Sequence, residues 1–250
     1  MPGGTHTRAR DAPGTREKTR RGPPSRSKQG LPRASRSTTV AVMSAAPQSH
    51  GPSQSGHNGR SLALPSREDL RAARGSSVPD VLADDLAVLL VGVNPSLASG
   101  WAGLHFAHPG NRLWTVLHQA GLTPRRLRPD ETDALLASGV GITNLVDRAT
   151  ARASEVGPDE LRAGRGRLER LVSRCRPRRV AVLGLQAFRA AFEAPRASTG
   201  RAERHVAGRP AWVLPNPSGL NAGWSTPRLV DAYRALRDEP DRGMPGWTGA

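Results

Sequence analysis

The sequence predicts an α/β fold, a short and mostly parallel sheet flanked by helices, and three observations carry that prediction. Short runs that are apolar on both faces recur after residue 86, each followed by a turn-forming or polar residue. Between them lie stretches whose apolar residues repeat at helical spacing. The two patterns alternate along the chain, as strand–helix–strand units require.

The first strand is expected over Ala87–Gly92, because Ala-Val-Leu-Leu-Val-Gly is apolar throughout and ends on a glycine. After a Gly- and Pro-rich loop, Leu113, Val116, Leu117 and Ala120 fall at i, i+3, i+4 and i+7 and stop at Gly121, the signature of a helix with a C-terminal glycine. Val140–Thr143 predicts a second strand. Leu161, Leu168, Leu171, Val172 and Cys175 mark a long amphipathic helix with arginines on its outer face, ended by Pro177. Val180–Leu183 is the third strand, Gln186–Phe192 a short helix, and Ala211–Leu214 a fourth strand running into Pro215-Asn216-Pro217. A last helix is expected from Thr226-Pro227, with Thr as its cap, through Leu229, Val230, Tyr233 and Leu236.

Length and charge bound the organisation. The 250 residues suffice for one domain of ordinary size and a tail. Residues 1–79 are rich in Arg, Ser, Gly, Pro and Thr with almost no aliphatic clusters, so they predict a disordered basic tail. A folded domain is expected over 80–239 and a loose end over 240–250. The chain has 37 Lys+Arg against 21 Asp+Glu, a formal charge of +16, which points to a polyanionic partner. The tail holds 14 of those cations against 4 acids. It reads either as a non-specific DNA tether or as the product of a misplaced start, since Met43 begins a second plausible N-terminus.

Several classes lose support on composition. One cysteine, Cys175, excludes an intramolecular disulfide and any four-cysteine zinc or iron–sulfur site, and it suits a reducing compartment. No apolar run reaches the ~20 residues of a membrane span, and the N-terminus lacks the apolar core of a secretory signal, so no membrane association and no export are expected. No dinucleotide fingerprint or Gly-Lys-Ser/Thr phosphate loop occurs. His105 and His108 have no Cys, Asp or Glu at ligand spacing, so no metal and no cofactor are expected.

The loops after the strands carry the chemistry, because ligands of such sheets bind beyond the carboxyl ends of the strands. Gly92-Val93-Asn94-Pro95-Ser96 follows the first strand and Pro215-Asn216-Pro217-Ser218-Gly219-Leu220 follows the fourth. Each presents an amide at a strand end, Asn94 followed by Pro95 and Asn216 set between Pro215 and Pro217. An amide can orient water or read a base edge but cannot take a proton. Alternatively, the two loops are only tight turns. Phe106 lies in the Gly-rich loop beside the first amide, whereas Trp101, Trp114, Trp212 and Trp224 read as core or rim residues. Asp147-Arg148 reads as an ion pair or a solvated turn.

Four motifs in order, Gly92-Val93-Asn94-Pro95, Phe106-Ala107-His108-Pro109-Gly110-Asn111-Arg112-Leu113-Trp114, Thr143-Asn144-Leu145-Val146-Asp147-Arg148 and Asn216-Pro217-Ser218-Gly219-Leu220, resemble the mismatch-specific uracil-DNA glycosylases. That group is the double-strand-specific branch related to thymine-DNA glycosylase, and the resemblance spans 87–236. It implies a uracil-DNA-glycosylase-like three-layer sandwich, a short central parallel sheet between helices. It also implies excision of uracil, and of thymine or ethenocytosine, opposite guanine without metal or cofactor.

By that resemblance Asn94 is the catalytic, water-positioning residue. Phe106 stacks on the flipped base, Val93 and Asn216 complete the base pocket, and Gly219-Leu220 forms the wedge that fills the vacated stack. Leu220 on a turn is otherwise a poor use of an apolar side chain. Two positions depart from the pattern. Ser96 stands where glycine is usual, and Asn221-Ala222-Gly223 replaces a serine–arginine pair that contacts the opposite strand.

The expectation is a monofunctional glycosylase of base-excision repair, a monomer in the cytoplasm or nucleoid, acting on double-stranded DNA with G·U or related mismatches. The alternatives are a non-catalytic mismatch- or damage-sensing DNA-binding protein on the same scaffold, and a hydrolase of free nucleosides. Lys18 and Lys28 are the only lysines, so the folded part has none to form a Schiff base and no lyase step is expected.

Overall fold

The computed structural model describes residues 64–238. The expected tail up to residue 63, the alternative start at Met43 and the expected loose end at 240–250 lie outside the described residues.

Five strands form one sheet: β1 (Val88–Gly92), β2 (Val140–Asn144), β3 (Val180–Leu183), β4 (Gly200–Val206) and β5 (Arg209–Leu214), in the order β2-β1-β3-β5-β4. β1, β2, β3 and β5 run parallel, and β4 alone is antiparallel, paired to β5. Every residue of β1, β2 and β3 is buried, as strands covered on both faces must be. Among the described residues seven α-helices accompany them: α1 (Arg67–Ala72), α2 (Leu97–Ala102), α3 (Leu113–Gln119), α4 (Thr132–Ala137), α5 (Pro158–Cys175), α6 (Leu185–Ala191) and α7 (Thr226–Asp238).

The pleat of β1 divides the core in two. Val88 and Leu90 pack with Leu113, Leu117, Tyr233 and Leu236 of α3 and α7 on one face. Leu89 and Val91 pack with Leu168, Val172 and Phe188 of α5 and α6 on the other. The expected α/β sandwich is therefore present, with a five-stranded sheet at its centre. The chain leaves β1 to build β2 on one side and then crosses to build β3 on the other. That reversal opens a crevice at the carboxyl ends of β1 and β3.

The local chemistry of each element explains its bounds. Pro158 occupies the first turn of α5, Glu160 accepts from the Gly157 N–H at 3.1 Å, and Arg176 ends the helix in a left-handed conformation. Gly164 lets α5 lie directly on the Leu145 carbonyl, which a Cβ would strike. Thr226 is the first helical residue of α7 rather than its cap, and the Leu229 N–H bonds Ser225 O at 3.0 Å.

Two corrections concern the ends of the folded part and of the sheet. Residues 64–79 were expected in the tail, yet Ser66 caps α1 through a reciprocal bond with Asp69, and Ala73 and Val78 are buried. Beyond these two apolar residues the segment is held by backbone hydrogen bonds, which composition does not reveal. Gly75 N donates to Ala149 O at 2.9 Å and Ala149 N to Ser76 O at 2.8 Å. β4 was not expected either, because Arg201, Glu203, Arg204 and His205 make it polar and mostly exposed. It is tied to β5 by a two-residue turn, Ala207-Gly208, with both φ values positive at 47° and 77°.

Candidate active site

The loop after β1 is locked to the loop after β2 by continuation of the parallel ladder. Gly92 O, Val93 O and Pro95 O accept from Leu145 N, Val146 N and Thr150 N at 2.9, 2.9 and 3.1 Å. Asn94 projects from this double loop. Its Nδ2 donates to Thr150 Oγ1 at 2.7 Å, Arg148 O at 3.0 Å and Pro95 O at 3.2 Å. The nitrogen end of the amide is fully committed, and no donor among the described residues engages Oδ1. Asn94 is half-buried and presents an acceptor only.

Asn216, after β5, is anchored the opposite way. Its Oδ1 accepts from the Ser218 N–H at 2.9 Å, an Asx turn that leaves Nδ2 as a donor. With β3 between them, β1 and β5 are two strand spacings apart, about 10 Å. The crevice thus carries an acceptor on one lip and a donor on the other. Gly184, which follows β3 between them, takes a φ of 147° that favours glycine. A Cβ there would stand 3.4 Å from Val93 Cγ2.

Phe106 forms the adjoining wall. Its φ of 51° is a left-handed conformation that costs an aromatic residue energy, held here by Trp114 Nε1–H bonding the Phe106 carbonyl at 3.3 Å. The ring tip reaches over Gly92: a Cβ on that glycine would collide with Asn144 Oδ1 and stand 3.3 Å from Phe106 Cζ. Gly92 is therefore the space that lets a buried amide and an aromatic edge meet at the end of β1.

Asn144 has a role that the sequence reading did not assign, although its motif was noticed. It is 4% exposed, and its Nδ2 lies 3.4 Å from His105 Nδ1. His105 Nε2 lies 2.9 Å from Pro79 O, and a carbonyl only accepts, so Nε2 carries the ring proton and Nδ1 is bare. Nδ1 then accepts from Asn144 Nδ2, which turns Asn144 Oδ1 toward Gly92 and Phe106. Burial first, and to a lesser degree the Arg167 charge, push the His105 pKa down to about 4, against the opposing pull of Asp80. Both ring nitrogens are engaged in this relay. The signal available in sequence was a buried-strand asparagine two motifs away from a histidine, and nothing in spacing alone joins them.

Behind Asn144, Arg167 ties the end of β2 in place. It donates to Asn144 O at 3.1 Å and to Thr143 Oγ1 at 3.2 Å, and pairs with Asp80 at 2.6 Å and Asp147 at 3.3 Å. Asp147 is accordingly in an ion pair, as the sequence suggested, and burial raises its pKa. Arg148 pairs with Glu160 at 2.6 Å.

The loop after β5 ends in Leu220, 88% exposed, so it does not pack beneath α7. Gly219 lies against Gly110, whose carbonyl oxygen would be 2.6 Å from a Cβ placed there. The two departures from the family pattern both serve the backbone. Ser96 caps α2 through its Oγ, which accepts from Ser99 N at 3.2 Å. Asn221 Nδ2 donates to Asn216 O at 2.9 Å, closing the base of the Leu220 loop. Trp114 and Trp212 are buried, Trp101 is exposed, and Trp224 stacks under Arg228 at 4.7 Å.

Val93, Asn94 and Phe106 thus gather at the carboxyl ends of β1 and β2, and Asn216, Gly219 and Leu220 follow β5. Together they define an α/β protein with an amide-lined crevice at the switch point of its sheet. The chain belongs to the Uracil DNA glycosylase superfamily, whose family model matches residues 79–237. A solution structure of a protein from Methanosarcina acetivorans, assigned as a uracil DNA glycosylase, is similar over 65% of this chain and 98% of that one. The identity is 19% and the TM-score 0.45. Membership indicates a DNA glycosylase, a hydrolase acting on DNA. No helix among the described residues is long and apolar enough to cross a membrane.

Proposed function

We propose that this protein is a monofunctional glycosylase that removes uracil mispaired with guanine from duplex DNA, the opening step of base-excision repair. The observation that carries this reading is the opposed anchoring of Asn94 and Asn216. The first presents only an acceptor to the crevice and the second only a donor. Hydrolysis of the N-glycosidic bond needs that pair of groups. The C1′–N1 bond breaks with its electron pair leaving on uracil N1, and a water oxygen bonds C1′.

Asn94 Oδ1 accepts a hydrogen bond from the water and aims its lone pair at the sugar. The water's proton goes to solvent, since an amide cannot hold it. Asn216 Nδ2–H donates to the carbonyl oxygen on which the leaving uracil spreads its charge. Phe106 supplies a stacking face for the extruded base. Asn144 supplies selectivity: its Oδ1, held as an acceptor by the His105 relay, matches the N3–H of uracil and faces the N3 lone pair of cytosine. Leu220 is the side chain available to fill the gap in the stack. A G·U wobble lowers the cost of extrusion, which favours the mismatch over the ordinary pair.

The test is single-turnover cleavage of duplexes with uracil, thymine or ethenocytosine opposite guanine or adenine, scored as alkali-labile strand breaks. Breaks at uracil opposite guanine, with intact cytosine controls, are expected. Binding to mismatched DNA without breaks would identify a non-catalytic sensor, and release of base from free nucleosides alone would identify a nucleosidase. Either result overturns the proposal.

A further inference from the structure

Arg112 touches none of the groups proposed to act on the base or the sugar. It is half-buried at the start of α3, and among the described residues no carboxylate pairs with it. Its guanidinium instead faces four carbonyls of the loop after β5. Nε donates to Pro217 O at 3.4 Å, one terminal nitrogen to Trp224 O at 2.5 Å, and the other to Ser218 O at 2.9 Å and Asn221 O at 3.1 Å. Its own backbone N–H adds a bond to Pro217 O at 3.1 Å. A half-buried guanidinium spent on carbonyls, with no anion among the described residues, is spent on shape.

The carbonyls it collects bracket Leu220 on both sides, at 217 and 218 before it and at 221 and 224 after it. Six residues upstream of Arg112 lies Phe106, and the Gly110 backbone between them in sequence lies so close to Gly219 that a Cβ there would strike its carbonyl. We propose that Arg112 is a positioning residue that joins the Leu220 loop to the Phe106 loop, so that wedge and pocket wall meet DNA as one rigid piece. This rests on the reading of Leu220 as a wedge and of Phe106 as the stacking wall. Holding the loop in its inserted shape beforehand removes the ordering cost that a free loop would meet when it enters the duplex. Lysine retains the charge but is a single point donor on a flexible stem and cannot span four carbonyls. The exchange of arginine for lysine therefore separates clamp from charge.

The experiment uses the full chain with Arg112→Lys, Leu220→Ala and the double variant. Hydrogen exchange of residues 217–224, read by mass spectrometry without DNA, is expected to speed up at least ~10-fold in Arg112→Lys, while Tm moves little. Single-turnover cleavage of uracil opposite guanine is expected to fall roughly 10-fold in Arg112→Lys, with a much smaller loss for uracil in an unpaired bulge. Because the clamp acts through Leu220, the double variant is expected to be no slower than Leu220→Ala alone. Unchanged exchange, equal losses in paired and bulged contexts, or additive losses in the double variant would each overturn the proposal. Absence of cleavage by the wild-type protein would instead defeat the glycosylase reading, and the exchange measurement would still decide the clamp.

Discussion

Thr150 Oγ1 accepts from Asn94 Nδ2 at 2.7 Å and donates its own O–H to Arg152 O at 2.8 Å, so a lone pair faces the amide. The flip state of Asn94 is thereby written into a neighbour 56 residues away. Thr150→Val keeps the buried volume and removes the acceptor. It is expected to slow single-turnover cleavage about 10-fold while costing ~1 kcal/mol of stability, the worth of one hydrogen bond. Thr150→Ser should restore the rate. Rapid-quench kinetics beside thermal melting check both, and a valine variant at the wild-type rate would remove Thr150 from the site.

Asn94→Ala is expected to abolish most single-turnover cleavage with DNA affinity little changed, the pattern of an interaction made in the transition state. Shape alone suggests that Asn94→Asp should keep activity. The structure argues otherwise, because a carboxylate oxygen would then face Pro95 O and Arg148 O. That variant is expected to lose ~1–3 kcal/mol at neutral pH and to recover part of it under acid, as the carboxyl protonates and regains a donor. Denaturant midpoints at pH 7 and pH 5 measure this.

Phe106 is the place where strain and function can be separated. Phe106→Gly removes the ring but accepts the φ of 51° freely, whereas Phe106→Ala removes the ring and keeps the strain. Both are expected to lose the ~1–3 kcal/mol of base stacking in cleavage assays. In melting, the glycine variant should be the more stable by ~1 kcal/mol. Equal stability would place the strain elsewhere.

Leu220→Ala should leave Tm unchanged, because the side chain is 88% exposed in the free protein. Cleavage of paired uracil should fall more than that of uracil in a bulge. Equal losses would mean that Leu220 has a packing role in the complex rather than an inserting one.

His105 sets an acid limit. Its folded pKa is lowered from 6.5 to about 4. Below pH 6.5 the unfolded chain therefore binds a proton that the folded one refuses, and stability falls as pH drops from 6.5 toward 4. The carboxylates whose pKa is lowered lose their contribution further down, whereas Asp147, raised by burial, acts in the opposite sense, so the ring itself must be followed. Chemical denaturation across that range of pH, with an NMR titration of the ring, should show a neutral Nε2–H tautomer and declining stability. A ring titrating near 6.5 would break the relay to Asn144.

Much of the scaffold was legible because the signals were local. The continuous apolar runs of β1, β2 and β3 and the periodic stripes of α3, α5 and α7 follow from burial on two faces or one. β4 escaped because its residues face water and its pairing is set by the turn at Ala207-Gly208. The segment at 64–79 escaped because backbone bonds, which leave no compositional trace, hold it. In the site, the amides beside prolines were visible as motifs. The direction each amide faces was not, since it depends on Thr150 and Ser218, and the tautomer of His105 depends on a carbonyl at Pro79.

The hairpin between β4 and β5 gives the molecule a rear side. β5 runs toward the crevice, so the Ala207-Gly208 turn that precedes it sits at the opposite pole of the sheet, exposed and anchored only by its own strands. A dye, an affinity handle or a second enzyme grafted there would stand away from the loops after β1 and β5 and would leave the side chains proposed to meet DNA as they are in the native chain.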